Sequence, residues 1–115
     1  MAEASATPLG RLALPAPGAK PPSGQPLPGI VFIHDVWGPS PHSEQFSDRL
    51  ADAGHAVLAV DFYRDLEDRP GGDPGAFIRA LDDTRILADV DAGVRALAAR
   101  PECAGAKIGL TGVCM

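Results

Sequence analysis

Two short apolar runs constrain the fold of this chain more than any other feature of its sequence. IVFIH occupies residues 30–34, and HAVLAVDFY occupies residues 55–63. Both are rich in β-branched or aromatic residues, and Gly29 and Gly38 bound the first run. Continuous apolar runs of this length are typical of strands that are buried on both faces, as in a parallel sheet. We therefore expect two buried strands with helices packed on the sheet.

Helical patterns separate and follow these strands. Ser40 and Pro41 form a favourable helix start, with serine as the N-cap and proline at the first helical position. Gly54 is placed to end that helix. Spacing at i, i+4 and i+7 predicts an apolar face formed by Phe46, Leu50 and Ala53.

A second helical pattern runs from Phe77 to Ala99, with a candidate break at residues 82–84. KIGLTG, at residues 107–112, is predicted to be a third strand. The order strand–helix–strand–helix–strand predicts an α/β fold with a mostly parallel, doubly wound sheet.

The N-terminal segment differs from the rest of the chain. Residues 9–14 alternate loosely and are predicted to form an edge strand, whereas the prolines and glycines of residues 16–29 favour a loop. We divide the chain into residues 1–27, an N-terminal edge strand and Pro/Gly-rich loop, and residues 28–115, which form the α/β unit.

Composition argues against several functional classes. The net charge is −5 and there is no Lys/Arg block, which argues against nucleic acid as a partner. No apolar run approaches the ~20 residues that cross a bilayer, and the N-terminus lacks the pattern of a secretory signal. Two cysteines without a signal indicate reduced thiols and a cytoplasmic location. The sequence has no metal-ligand cluster, phosphate loop or dinucleotide fingerprint, so no cofactor is expected.

The last predicted strand leads into GVCM, at residues 112–115. A sharp strand-to-helix turn of the form G-x-S-x-G, with cysteine as a variant nucleophile, is the nucleophile elbow of α/β-hydrolases. Gly112 would be its first glycine and Cys114 its nucleophile. By itself this pattern is weak, since a buried cysteine that only fills the core gives the same spacing.

The chain resembles the dienelactone hydrolase family of α/β-hydrolases from about residue 28 to residue 115. The resemblance rests on IHDVWG, VDFY and GVCM occurring in this order, with a variable middle near residues 64–80. It implies hydrolysis of small esters or lactones through a cysteine, with an Asp and a His completing the triad. Another cysteine enzyme with such an elbow, such as a glutamine amidotransferase-like domain, matches the HDVWG block less well.

The resemblance also implies roles for individual residues. Cys114 matches the nucleophile, and Asp35 stands where the family usually carries a Glu that hydrogen-bonds the resting thiol. The backbone N–H groups of Val36 and Met115 match the oxyanion hole, where two donors stabilise the charge of a tetrahedral intermediate. Trp37 is placed to line the substrate site or the core.

Several other residues have ordinary structural interpretations. His34 is interpreted as a packed, hydrogen-bonded strand histidine, Asp61 as a capping carboxylate and Cys103 as a loop residue. His42 and His55 are expected at the surface. Arg69 and Arg79 lie where the family binds a substrate carboxylate, and the residues do not favour one over the other.

Because the acid and base of an α/β-hydrolase follow the nucleophile in the chain, the sequence predicts a fragment or a truncated gene model cut inside the elbow. We expect this chain alone to lack esterase activity. The alternative is a non-catalytic remnant or a binding or scaffold half-domain.

Overall fold

The described part of the chain is built on a five-stranded sheet, with a described helix packed on each face. The computed structural model of the chain describes residues 2–16, 25–35, 38–64 and 82–112. The strands, in the spatial order β1-β2-β4-β3-β5, are β1 (Glu3–Ala6), β2 (Gly10–Leu14), β3 (Gly29–Ile33), β4 (Ala56–Val60) and β5 (Ile108–Gly112). The helices of the described residues are α1 (Pro41–Asp52) and α2 (Asp83–Ala98). The predicted doubly wound α/β architecture is confirmed.

The sheet is mixed rather than mostly parallel. β3 pairs in parallel with both β4 and β5, whereas β1 with β2 and β2 with β4 are antiparallel. The predicted strand near residues 9–14 is present, but it is not at the edge, because β1 pairs with its outer side. The segment EASA at residues 3–6 is small and polar, so its sequence gave no strand pattern. Its pairing comes from the hairpin with β2.

Side chains of the central strands alternate between two apolar clusters. Val31 and Ile33 of β3 pack in the cluster beneath α2, and Ile30 and Phe32 pack in the cluster beneath α1. Burial on both faces explains why the sequence of this strand is apolar at every position instead of at every second one.

Helix α1 begins as predicted. The Ser40 side chain accepts a hydrogen bond from the Ser43 N–H, and the Ser43 side chain accepts one from the Ser40 N–H, which forms a reciprocal cap. The predicted apolar face is only partly correct, since Phe46 and Leu50 are half-buried and Ala53 is exposed. The residues that face the sheet are small, which lets the helix backbone approach closely: Ser43, Ser47 and Ala51.

Helix α2 begins at Asp83 with Asp82 as its N-cap, so the candidate break at residues 82–84 is a helix start. The part of the predicted helix before this point lies outside the described residues. Gly93 lies against β3 and β4, where an added Cβ would be 3.2 Å from a Val60 side-chain carbon. Leu97 is 1% exposed and anchors the helix in the core.

The segment after α2 forms a short 3₁₀ helix, Pro101–Cys103. The interpretation of Cys103 as a loop residue was wrong, because its side chain is 1% exposed and belongs to the core beneath α2. Burial, with a contribution from the Glu102 charge, raises the pKa of this thiol. Among the described residues, no helix is both long enough and apolar enough to span a membrane.

Candidate active site

The candidate site lies at the carboxyl ends of three neighbouring parallel strands. Ile33, the last residue of β3, pairs with Val60 of β4 on one side and with Gly112 of β5 on the other. All three strands therefore end at one level, which is where ligands bind in open α/β sheets. The chain leaves this edge towards Asp35 from β3 and towards Asp61 from β4.

Gly112 ends β5 in close contact with β3. A Cβ at this position would lie 3.0 Å from the Ile33 Cβ and 3.2 Å from the Ile33 carbonyl oxygen. These contacts are tighter than most Cβ contacts, so a larger residue fits only if Ile33 moves by a few tenths of an ångström. Close packing against Ile33 therefore explains why the first position of the predicted elbow is a glycine.

Asp35 begins a tight turn directly after β3. Its carbonyl oxygen accepts a hydrogen bond from the Gly38 N–H at 3.0 Å and lies 2.7 Å from His34 Nδ1. Gly38 has φ of +76°, a left-handed conformation that favours glycine. The turn is thus closed by the backbone and by a neighbouring side chain at the same oxygen.

His34 is buried at the end of β3, as predicted for a packed strand histidine. Its Nε2 accepts the hydrogen bond that the Phe62 N–H donates at 3.1 Å. Its ring lies 4.7 Å from the ring of Tyr63 and 5.4 Å from that of Phe62. The imidazole therefore links the chain that leaves β3 to the chain that leaves β4.

Tyr63 packs against the turn at Gly38. Its side chain is buried, and an added Cβ on Gly38 would lie only 2.8 Å from its ring. Burial raises the pKa of the Tyr63 phenol, and the nearby charges of Asp35 and Asp61 raise it further. The phenol is therefore neutral over the physiological range.

Asp61 has the capping role that the sequence predicts. Its Oδ1 accepts a hydrogen bond from the Tyr63 N–H at 3.0 Å, and its carbonyl accepts one from Arg64 Nη1 at 3.1 Å. Its own N–H donates to the Leu9 carbonyl at 2.8 Å. These bonds hold the turn after β4 in one conformation.

An ion pair that the sequence analysis did not identify ties this turn to α2. The Arg64 guanidinium and the Asp89 carboxylate form two parallel hydrogen bonds of 2.9 and 2.8 Å. The Arg64 side chain is 22% exposed and that of Asp89 is 11% exposed. Hydrogen bonding to Asp89 raises the pKa of Arg64, so the guanidinium stays charged. The signal in the sequence that could have revealed this pair is Asp89, a charged residue at a core-facing position of α2.

A cavity of about 470 Å³ lies on the α1 side of this edge. His34, Asp61 and Phe32 line its inner wall, and the β1–β2 hairpin lines its outer wall. Arg11 lies in this wall, but Asp48 pairs with its guanidinium at 2.9 Å. The cavity is large enough for part of a small molecule. Because Asp48 pairs with Arg11, the wall of the cavity carries little net positive charge.

Of the predicted site residues, the structure describes Asp35. Cys114, Met115, Val36 and Trp37 lie outside the described residues, so their roles remain predictions, as does the choice between Arg69 and Arg79. Within the described ranges, no group of three or more His, Cys, Asp or Glu side chains could hold a metal ion.

A mixed sheet with helices on both faces, and polar residues at the carboxyl ends of its parallel strands, defines an open-sheet α/β protein with its ligand site at that edge. The family model of the dienelactone hydrolase family matches residues 15–115. The chain therefore belongs to the dienelactone hydrolase family.

Individual relatives agree with this assignment. A provisionally named carboxymethylenebutenolidase of Methylorubrum extorquens is 26% identical over 111 residues, which cover 88% of this chain and 36% of that protein. The structure of a dienelactone hydrolase-like promiscuous phosphotriesterase from metagenomic libraries is 25% identical, with a TM-score of 0.74 over 99% of this chain and 49% of that one. A provisionally named dienelactone hydrolase from Klebsiella pneumoniae is also 25% identical, with a TM-score of 0.76 over 99% of this chain and 50% of that one.

The chain thus spans about half the length of the structures it matches and about a third of the curated relative. Its fold corresponds to about half of an α/β-hydrolase domain.

Proposed function

We propose that this chain carries the nucleophile half of an enzyme that hydrolyses ester or lactone bonds in small molecules, with Cys114 as the nucleophile. The observation that supports this most strongly is the pairing of Ile33 with Gly112. In the sequence, Asp35 is two residues after Ile33 and Cys114 is two residues after Gly112, and the strands that end at Ile33 and Gly112 are adjacent and parallel. Such strands are about 4.8 Å apart.

The reaction proposed is acyl transfer in two steps. The Cys114 thiolate attacks the carbonyl carbon, and the tetrahedral intermediate expels the alkoxide, which leaves as the alcohol after protonation. Water then attacks the thioester and releases the acid and the thiol. The N–H groups of Val36 and Met115 would stabilise the oxyanion, Asp35 would accept a hydrogen bond from the resting thiol, and Trp37 would contact the substrate.

We further propose that the 115-residue chain alone has no turnover, because its histidines do not supply a general base. Both ring nitrogens of His34 are engaged with backbone groups. His55 lies at the opposite, amino end of β4, with Nδ1 2.9 Å from the Leu50 carbonyl oxygen. His42 is exposed in the first turn of α1 and, within the described residues, makes no hydrogen bond through its ring. This supports a non-catalytic half-domain for the chain in isolation.

The nucleophile is best tested by its chemical reactivity, which needs no complete triad. Iodoacetamide alkylation of the folded chain, followed by mass spectrometry, gives separate rates for Cys114 and Cys103. Cys103 is a matched internal reference, since it is buried and its pKa is raised. We expect Cys114 to react at least about tenfold faster at pH 7.

The role of Asp35 is tested with Asp35→Asn. Loss of a negative charge beside the thiol favours the thiolate, so the pH profile of Cys114 alkylation is expected to move to lower pH. A Cys114 rate equal to that of Cys103, or a profile unchanged in Asp35→Asn, would contradict the proposed site.

Turnover is measured in parallel with p-nitrophenyl acetate and a dienelactone, using Cys114→Ser as the control. A phosphotriester is included because one structural relative is named a promiscuous phosphotriesterase. Saturable, Cys114-dependent turnover would refute the proposed inactivity of the isolated chain while supporting the hydrolase chemistry.

We also propose that the protein is cytoplasmic. It acts on small molecules, uses no cofactor, and has neither a membrane nor nucleic acid as a partner. The free, buried thiol of Cys103 supports a reducing compartment.

A further inference from the structure

His34 makes a set of contacts that packing alone does not require. The side chain is 2% exposed, so neither ring nitrogen has ready access to bulk water. Each nitrogen instead meets a backbone group from a different segment, Phe62 on one side and Asp35 on the other.

The direction of these two hydrogen bonds follows from the donors and acceptors available. The Phe62 N–H can only donate, so Nε2 of His34 must accept and carry no proton. In the neutral imidazole the proton is then on Nδ1, which donates to the Asp35 carbonyl at 2.7 Å. The neutral Nδ1–H tautomer satisfies both contacts, whereas the charged ring would oppose the Phe62 N–H with a second donor.

The Asp35 carbonyl is consequently held by two donors, His34 Nδ1–H and the Gly38 N–H. A peptide group is planar, so a fixed carbonyl fixes the plane of the whole group. The Asp35 side chain is attached to the Cα next to this peptide group. Holding the Asp35 carbonyl therefore restricts ψ of Asp35, the rotation that relates the Asp35 carboxylate to the turn.

We propose that His34 is a positioning residue for the active site, acting through Nδ1–H on the Asp35 carbonyl and anchored by Phe62 through Nε2. This inference rests on the proposed function, because it assigns a purpose to the orientation of the Asp35 peptide. The competing explanation is that the ring only fills space against Phe62 and Tyr63.

Two substitutions separate the contacts. The side-chain amide of His34→Asn can place a donor near the position of Nδ1 and lacks a group at Nε2. The amide of His34→Gln can place an acceptor near the position of Nε2 and lacks a donor at Nδ1. Each variant loses ring packing and one buried hydrogen bond, so thermal unfolding is expected to show a similar loss of stability in both.

The first readout is amide hydrogen exchange at Gly38, measured by NMR on the folded chain. We expect exchange to be at least about tenfold faster in His34→Gln than in wild type, and less than about threefold faster in His34→Asn. Equal changes in both variants would indicate packing alone and would overturn the proposal. Ring nitrogen shifts of the wild-type protein provide a check that needs no variant, since an Nε2–H or charged ring at pH 7 would also overturn it.

The second readout is the pH profile of Cys114 alkylation. His34→Gln is expected to shift this profile in the same direction as Asp35→Asn, and His34→Asn is expected to leave it near wild type. A merely structural role would leave the profile of folded molecules unchanged in both variants.

The two proposals fail in different ways. If Asp35→Asn has no effect on Cys114, the proposed site is wrong, and Gly38 exchange still decides whether His34 orders the turn. If Asp35→Asn shifts the profile and neither His34 variant does, the site stands and the positioning role of His34 is refuted.

Discussion

The Arg64–Asp89 pair is expected to be a major local contribution to the stability of the site. In Asp89→Asn the carboxylate charge is removed, and one of the two parallel hydrogen bonds from the guanidinium loses its acceptor. The partly buried guanidinium then loses its paired carboxylate, and the charge of Asp61 is left to act on it. The turn after β4, which carries Asp61 and Tyr63, loses its attachment to α2.

The magnitude follows from burial. Breaking one partner of a fully buried pair costs about 3–5 kcal/mol, whereas exposed pairs are worth about 0–1 kcal/mol. Side-chain exposures of 22% and 11% place this pair nearer the buried limit, but Arg64 keeps its bond to the Asp61 carbonyl. We therefore expect Asp89→Asn to lower the free energy of unfolding by about 2 kcal/mol. At about 4 °C per kcal/mol for a chain of 115 residues, that lowers Tm by about 8 °C.

The chain contains a matched control on the same helix. Asp91 pairs with Arg95 at 2.9 Å, but the side chains of Arg95 and Asp91 are 80% and 58% exposed. Asp91→Asn is expected to cost no more than about 0.5 kcal/mol. High salt should abolish the stabilisation by the exposed Asp91–Arg95 pair, since screening acts mainly on exposed charges. The Arg64–Asp89 pair should keep most of its stabilisation.

The assay is urea unfolding followed by circular dichroism, in a double-mutant cycle of Arg64→Met and Asp89→Asn. A coupling free energy of at least about 1 kcal/mol is expected. The reasoning is refuted if Asp89→Asn is as mild as Asp91→Asn and the coupling is indistinguishable from zero.

Three further predictions concern the strand end, the core and pH. Gly112→Ala should destabilise the chain by about 1–3 kcal/mol in urea unfolding, because the added Cβ would crowd Ile33 of β3. Gly109→Ala on the same strand should be near neutral, because an added Cβ there meets nothing within 4 Å. Equal effects of the two substitutions would contradict the packing argument. Leu97→Ala should lower the free energy of unfolding by about 2–5 kcal/mol, because Leu97 is in the core. Leu87→Ala on the same helix should lower it by less than about 0.5 kcal/mol, because Leu87 is 69% exposed. If thermal unfolding showed the reverse order, the assignment of Leu97 to the core would be wrong. Burial raises the pKa of the Tyr63 phenol above its usual 10.0, so the neutral phenol contributes its full stabilisation below pH 10 and loses it as pH rises through the folded-state pKa. In Tyr63→Phe the free energy of unfolding should therefore fall less steeply above pH 10 than in wild type. An unchanged slope would contradict the raised pKa.

Much of the fold was predictable from the sequence because its signals are local. Apolar character at every position of residues 30–33 and 56–60 indicated strands buried on both faces, and both are central in the sheet. Ser40 and Pro41 fixed the start of α1, since a serine cap and a proline at the first helical position act within one turn. Gly38, after the first of these strands, and Gly54, after α1, marked two of the turns.

Other features depend on contacts between distant segments and could not be predicted in this way. β1 is a strand because it pairs with β2, and its four residues carry no apolar alternation of their own. Cys103 is a core residue because the 3₁₀ helix folds beneath α2, although its sequence neighbourhood is typical of a loop. Arg64 and Asp89 are 25 residues apart in the chain, and only the packing of α2 on the sheet brings them together.

The candidate site shows the same division. The sequence by itself determined which residue types follow each strand: an aspartate after β3, an Asp-Phe-Tyr segment after β4, and a glycine at the end of β5. Only the tertiary structure decided that these three ends lie at one level and that His34 joins two of them. The physical reason is that strand register and buried hydrogen bonds are set by partners far away in the chain, whereas caps, turns and burial patterns are set by neighbours.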